Sequence, residues 1–270
     1  MNKFKGKIIC CDVDGTLIDQ RLRLPQKNID AINRFRSEGG LFTLATGRTA
    51  DGLQLYLDKI TPDLPIIIQN GAAIYDLQKN KYIWYTELSR DSAEIIDHVV
   101  SLFPETGVEI MTTGPTYSCR DSAAVRGHEA DEHFTIIRKP YSEIPEPWLK
   151  AVFAAEPPLT DKIQSYLEKH EFSKKYHMAR SYPTYYEFFD NRVSKAFALG
   201  ELAKIIGRDL SDITVIGDND NDAEMLAIPE CRSFCPSSAS EKAKASAKTV
   251  LSSSNDDGVM DEVIDILSGM

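Results

Sequence analysis

No apolar run in the sequence approaches the ~18 residues that a membrane-spanning helix needs, so no membrane partner is expected. Basic excess is also missing: 31 lysines and arginines stand against 41 aspartates and glutamates, a net charge of -10. A chain that neutralised nucleic-acid phosphates would need surplus positive charge, so nucleic acid is not an expected partner. A small phosphate is still open to it, provided a metal ion or a lysine offsets the repulsion locally. Cysteine is sparse, five in 270 residues, and no CxxC occurs. Cys10 and Cys11 lie in an apolar run and are expected to be buried strand residues. Cys231 and Cys235 have no second pair or nearby histidine, so no metal site is expected there. Reduced thiols in the cytoplasm are the expected setting. The first residues, MNKFKGKIICC, are basic, but their apolar run is short and Asp12 interrupts it, so a signal peptide is not expected.

What is present is an ordinary globular composition, 42% hydrophobic and 27% charged. The first third alternates in style. An apolar strand is expected over 7–13, a helix over 25–38 from Ile29, Ile32 and Phe35, a strand over 41–45, a helix over 51–59 and a strand over 65–69. This order predicts a parallel sheet covered by helices. Asn70-Gly71 predicts a turn, and 73–75 with 82–84 a hairpin. The last third repeats the style, with helices over 195–206, 223–227, 240–247 and 259–267 and a strand over 213–216. Between them the pattern changes. Strands are expected over 108–112, 134–138, 149–155 and 185–189, helices over 91–103 and 160–170, and proline is concentrated. The expected class is therefore α/β: a Rossmann-like parallel-sheet core over 1–84 and 188–270, with an α+β cap domain inserted over 85–187.

Four features carry chemistry. The first strand runs into Asp12-Val13-Asp14-Gly15-Thr16. Residues i and i+2 of a strand share a side, so Asp12 and Asp14 are expected to converge at its carboxyl end, where open α/β sheets bind ligands. Two carboxylates that close repel, and a hard divalent ion such as Mg²⁺ would relieve them. The second acidic cluster, Gly217-Asp218-Asn219-Asp220-Asn221-Asp222, also follows a short apolar strand. It lacks the glycine and glutamate spacing of an EF-hand. Ala45-Thr46-Gly47-Arg48 offers a hydroxyl and backbone amides after a strand, and Lys195 opens a helix where it could neutralise a phosphate. Taken singly, each has a bland reading: a solvated turn, a cap or a surface lysine. Together they suit phosphoryl transfer, which depends mostly on positioning and charge stabilisation.

DVDGTL, ATGR, a lone lysine and GDNDND, in that order, resemble the four motifs of the haloacid dehalogenase (HAD) superfamily of phosphatases. The likeness is strongest to the Cof-type subfamily with its class IIB cap, whose sequences also carry an NGA, here Asn70-Gly71-Ala72, and a late GV, here Gly258-Val259. The resemblance covers roughly residues 6–84 and 188–265. It implies a small phosphate ester as substrate, sugar phosphates first, and Mg²⁺ as cofactor. It implies Asp12 as nucleophile and Asp14 as general acid and base. Thr46, Gly47, Lys195 and Asn221 would bind the phosphoryl group. Asp12, Asp14 through its carbonyl, and Asp218 would hold the metal, with Asp222 supporting it. Two departures bear on rate or substrate choice: Ala196 stands where glycine is usual, and residues 234–239 replace the usual M-x-N-A segment.

The insertion is expected to close over the site. Arg120, Arg126, His128, His133, Tyr117 and Tyr185 are its candidate specificity residues, each more simply read as a polar residue of a small domain. Alternatives are a phosphomutase or phosphonatase on the same fold, and a phospho-aspartate switch like a response-regulator receiver. The long insertion and the acid two residues after Asp12 disfavour the switch. The oligomeric state is left open, a monomer being compatible with the sequence.

Overall fold

The computed structural model describes residues 2–131 and 135–269. The amino-terminal segment forms strands β1 (Ile8–Cys11), β2 (Leu41–Leu44), β3 (Ile66–Ile68), β4 (Ala73–Asp76) and β5 (Lys81–Tyr85). The middle segment forms β6 (Gly107–Thr112), β7 (Thr116–Arg120), β8 (Ile136–Arg138), β9 (Trp148–Ala154), β10 (Tyr176–Tyr182) and β11 (Tyr185–Asp190). The last segment forms β12 (Ile213–Ile216), β13 (Arg232–Cys235) and β14 (Thr249–Val250). The chain divides into two compact units, Met1–Trp84 with Ser194–Met270, and Tyr85–Val193. The domain boundary expected at 187/188 falls inside β11, because Tyr186 and Phe188 are buried in the second unit's own core.

In the first unit a five-stranded parallel sheet runs β14-β13-β12-β1-β2. β1 is buried along its whole length, as a central parallel strand must be. Its register sets Cys11 opposite Leu44 on one side and Ile216 on the other. The three strands therefore finish level, and the residues that follow them emerge at one edge of the sheet. β3 does not extend this sheet as a regular strand. It joins β2's end through a single bridge, Ala45 to Ile67, and pairs antiparallel with β4 in a smaller sheet ordered β3-β4-β5. The sequence pattern of an apolar run could not separate these cases, since both bury the strand.

Helices cover the sheet where the 3.6-residue pattern placed them. Gln26–Ser37 buries Ala31, Ile32 and Phe35. Lys195–Ile206 is capped by the Ser194 hydroxyl, which accepts from Phe197 N–H at 3.1 Å, and ends at left-handed Gly207. Ala198, Leu199 and Leu202 of that helix pack with Ile8, Cys10 and Val215. Cys10 and Cys11 are fully buried, as expected of strand residues.

The second unit has a six-stranded sheet, β10-β11-β9-β6-β7-β8, antiparallel except between β7 and β8. Val108, Ile110, Ala151 and Phe153 on one face pack with Ile95, Ile96 and Val99 of helix Ala93–Leu102 and Ile163 and Leu167 of helix Pro157–Leu167. β7, β10 and the helix Ala123–Asp131 have no counterpart in the sequence reading. Residue 134, where a strand was expected to begin, lies outside the described residues.

Candidate active site

Asp12 follows β1, Thr46 follows the end of β2 and Asp218 follows β12, so the level strand ends bring three loops together. The Asp12 N–H donates to Ile216 O at 2.8 Å, which carries the strand pairing one residue further and fixes the Asp12 side chain at the sheet edge. Asp12 is 4% exposed. Carboxylate oxygens of Asp12, Asp218 and Asp222 lie within 4.8 Å of one another.

Lys195 is the resident counter-charge. Its Nζ donates to Asp12 Oδ1 at 2.5 Å and to Asp222 Oδ1 at 2.6 Å, and it is 1% exposed. A lysine that buried is unusual unless it is paired. Burial works against its charge, but the carboxylates of Asp12 and Asp222 more than offset it and hold the ammonium proton more tightly than usual. Asp222 has both oxygens committed: Oδ1 to Lys195, and Oδ2 to the backbone N–H groups of Asp218 and Asn219, each at 3.0 Å. It shapes the loop and anchors the lysine. Asp218 has Oδ1 accepting from the Thr16 hydroxyl at 2.6 Å. Gly15 has φ +80°, and a Cβ there would collide with the Asp218 carboxyl, so only glycine lets the first loop turn beneath Asp218.

One ammonium does not balance three neighbouring carboxylates. Burial, and then the charge of Asp222, pushes the Asp12 carboxyl well above its ordinary range. Burial likewise lifts Asp218, against the Thr16 hydrogen bond, to about 6. A divalent cation would relieve that strain, and carboxylate oxygens suit Mg²⁺. Asp12 and Asp218 are the acids with an oxygen to offer it, since Asp222 is used within the protein. The donor set therefore fits the ion.

Asp14 behaves differently from Asp12. Its carboxylate receives both nitrogens of the Arg48 fork, Nε at 2.8 Å and Nη2 at 2.7 Å, and its side chain is 45% exposed. Arg48 also lies over the Tyr56 ring, 5.4 Å from its centroid. Thr46 is buried, its hydroxyl accepting from Arg48 N–H at 3.1 Å. Asn221 donates from Nδ2 to Asn70 Oδ1 at 3.0 Å.

Sequence reasoning missed Thr16, Arg48 and Asn70 as parts of this site. Thr16 and Arg48 stood inside quoted motifs, and the Asn-Gly turn was the available signal for Asn70. The Ala196 departure falls in the helix Lys195–Ile206, against the core. In the 234–239 segment, Phe234 and Cys235 form the end of β13, and the Ser238 hydroxyl bonds to Asn255 Oδ1 at 3.0 Å. The Cys231 thiol donates to the Leu210 carbonyl.

The candidate specificity residues are engaged within their own unit. Arg126 pairs with Asp121, Arg120 bonds to the Pro104 carbonyl, and Tyr117 is buried in the core. His128 meets Glu109 at 2.8 Å with its ring against Tyr185. His133 lies outside the described residues.

The family model of the haloacid dehalogenase-like hydrolases matches residues 9–263. YxeH of Bacillus subtilis (strain 168) is 28% identical over 236 residues, 83% of this chain and 85% of that protein. YwtE of the same organism, named a 5-amino-6-(5-phospho-D-ribitylamino)uracil phosphatase, is 26% identical over 288 residues, covering 97% of this chain and 99% of that one. Among solved structures, the HAD subclass IIB sugar phosphatase BT4131 superposes with a TM-score of 0.79 at 19% identity, over 97% of this chain and 99% of its own. At that identity the likeness speaks to the fold. The chain thus shares a parallel-sheet core and an added antiparallel sheet with that subclass.

Proposed function

We propose that this chain, which belongs to the haloacid dehalogenase-like hydrolase family, is a Mg²⁺-dependent phosphatase of small phosphorylated metabolites. Phosphorylated sugars and sugar alcohols are the first candidates, given what YwtE and BT4131 are named for. The observation that carries the reading is the placement of Asp12. It is a buried carboxylate at the end of a central strand, bonded to a buried lysine and facing a second acid that has an oxygen to spare.

Asp12 and Asp218 would hold the ion, which supplies charge stabilisation on the phosphoryl oxygens. Asp12 attacks phosphorus, forming the aspartyl phosphate while the ester P–O bond breaks and its electron pair leaves with the alcohol oxygen. Asp14 protonates that oxygen, then takes a proton from the water that attacks phosphorus and releases Asp12. Both Asp14 oxygens accept from the Arg48 guanidinium, so the Asp14–Arg48 pair must open before Asp14 can meet the leaving oxygen. Lys195 keeps Asp12 anchored as negative charge gathers around it. The Thr46 hydroxyl, the Gly47 amide and the Asn221 carboxamide are the groups left to receive phosphoryl oxygens. The test is product analysis over a panel of phosphorylated sugars, sugar alcohols, nucleotides and cofactors. Free inorganic phosphate and alcohol in equal amounts are expected. An isomerised phosphate ester would favour a mutase, and a lasting protein label without phosphate release would favour a switch.

Metal affinity should depend on pH. A proton occupies Asp218 up to about pH 6, and the ion has to displace it. Mg²⁺ affinity is therefore expected to weaken as the pH falls through about 6, and the raised Asp12 carboxyl adds to the loss in the same direction. Folding without metal has the opposite sign. Because the folded pKa lies above the unfolded one, the stabilisation from this proton is present in acid and is lost as pH rises through about 6. Calorimetric Mg²⁺ titrations on either side of pH 6 check this, and equal affinities across that range would contradict it.

A further inference from the structure

The turn formed by Gln69, Asn70 and Gly71 follows β3 and carries no group used in the chemistry above. All three residues have left-handed backbones, with φ of 52°, 58° and 96°. Two consecutive residues bearing a Cβ are held in that region only when their surroundings impose it. Here the surroundings are the loops of the site. Gln69 N–H donates to Arg48 O at 3.0 Å, and Asn70 N–H donates to Thr46 O at 2.9 Å, which stitches the turn to the loop after β2. The Asn70 side chain then reaches the loop after β12, its Oδ1 accepting from Asn221 Nδ2 at 3.0 Å. A Cβ on Gly71 would run into the Ser194 carbonyl, so the turn also abuts the start of the Lys195 helix. Gln69 is 1% and Asn70 7% exposed, so the turn itself is held inside the protein, while Asn221 stands at the surface.

We infer that Asn70 is a positioning residue that fixes the Asn221 carboxamide relative to the Thr46–Gly47 loop. The bond takes one amide hydrogen of Asn221 and thereby decides which way the carboxamide is turned. The second hydrogen is then aimed by the first, at a spacing from the Thr46 loop set by the two backbone bonds of the same turn. The inference rests on the reading of function given above, in which both loops receive phosphoryl oxygens.

A double-mutant cycle tests it on the full chain with Mg²⁺. Asn70→Gly keeps the left-handed backbone and removes the carboxamide, and Asn221→Ala removes the group it orients. Each is expected to lower kcat/KM by about ten-fold, near the upper end for one hydrogen bond. The double variant is expected to fall no further than the weaker single. The Asn70→Gly unfolding midpoint should stay within a few degrees of the parent, which a purely structural loss would not allow. The same cycle is run on binding of inorganic phosphate, which needs no turnover. Losses that multiply in the double variant overturn the inference, as does an Asn70→Gly variant with parental kcat/KM and phosphate affinity. A parent that binds phosphate but hydrolyses no ester overturns the reading of function while the binding cycle still decides the role of Asn70.

Discussion

Replacing Asp12 with asparagine should reduce phosphate release by at least about 10³-fold while leaving the protein folded. The size follows from the proposed role: if Asp12 is the attacking carboxylate, its loss leaves no covalent intermediate, only binding and positioning. Folding should survive because the substitution is close to isosteric and removes a charge that is already costly. Asp12 is buried beside Asp222 and its carboxyl is held well above the ordinary range. Lys195 also bonds Asp222, at 2.6 Å, a partner that the substitution leaves in place. The unfolding midpoint is therefore expected within a few degrees of the parent. Steady-state phosphate release and thermal unfolding, measured on the same preparation, check both halves. Activity within ten-fold of the parent would remove Asp12 from the chemistry.

Stripping Mg²⁺ with a chelator should have a comparable effect, on the order of 10³-fold, since a bound divalent ion supplies several kcal/mol of charge stabilisation. The argument comes from charge. Asp12, Asp218 and Asp222 crowd their oxygens within 4.8 Å, and Lys195 supplies one positive charge among them. An anionic phosphate approaching that cluster meets net repulsion, which the lysine alone cannot cancel. Restoring Mg²⁺ should restore the rate, and Ca²⁺ should do so poorly, because it prefers more ligands at longer distances than two carboxylates provide. Full activity in chelator would contradict the assignment of Asp12 and Asp218 as metal-holding residues.

Much of the core was legible because it depends on periodicity and strand ends. The apolar run before Asp12 had to be a buried strand, and the register of β1 with β2 and β12 puts the following loops at one edge. The relation between Asp12 and Asp14 was less legible. Period-two alternation holds only within a strand, and β1 ends at Cys11. The chain beyond is already turning toward left-handed Gly15, so Asp12 is buried while Asp14 sits exposed on Arg48. Lys195 read alone as a surface lysine. Its burial depends on Asp12 and Asp222, 183 and 27 residues away in sequence, which local pattern does not report. In the second unit, β10 was missed because YHMARSY has no clean alternation, and Ala123–Asp131 because its apolar face is short and interrupted by Gly127. Both are stabilised by what they pack on, and sequence periodicity carries little of that.

The most direct test is to quench turnover in acid within milliseconds, using a substrate labelled in its phosphoryl group, and to map the label on the protein. A phosphoryl group on the peptide that holds Asp12, appearing with Mg²⁺ and decaying as free phosphate is released, is the predicted result. Label recovered on another side chain, or turnover with no protein-bound label at any quench time, would contradict it.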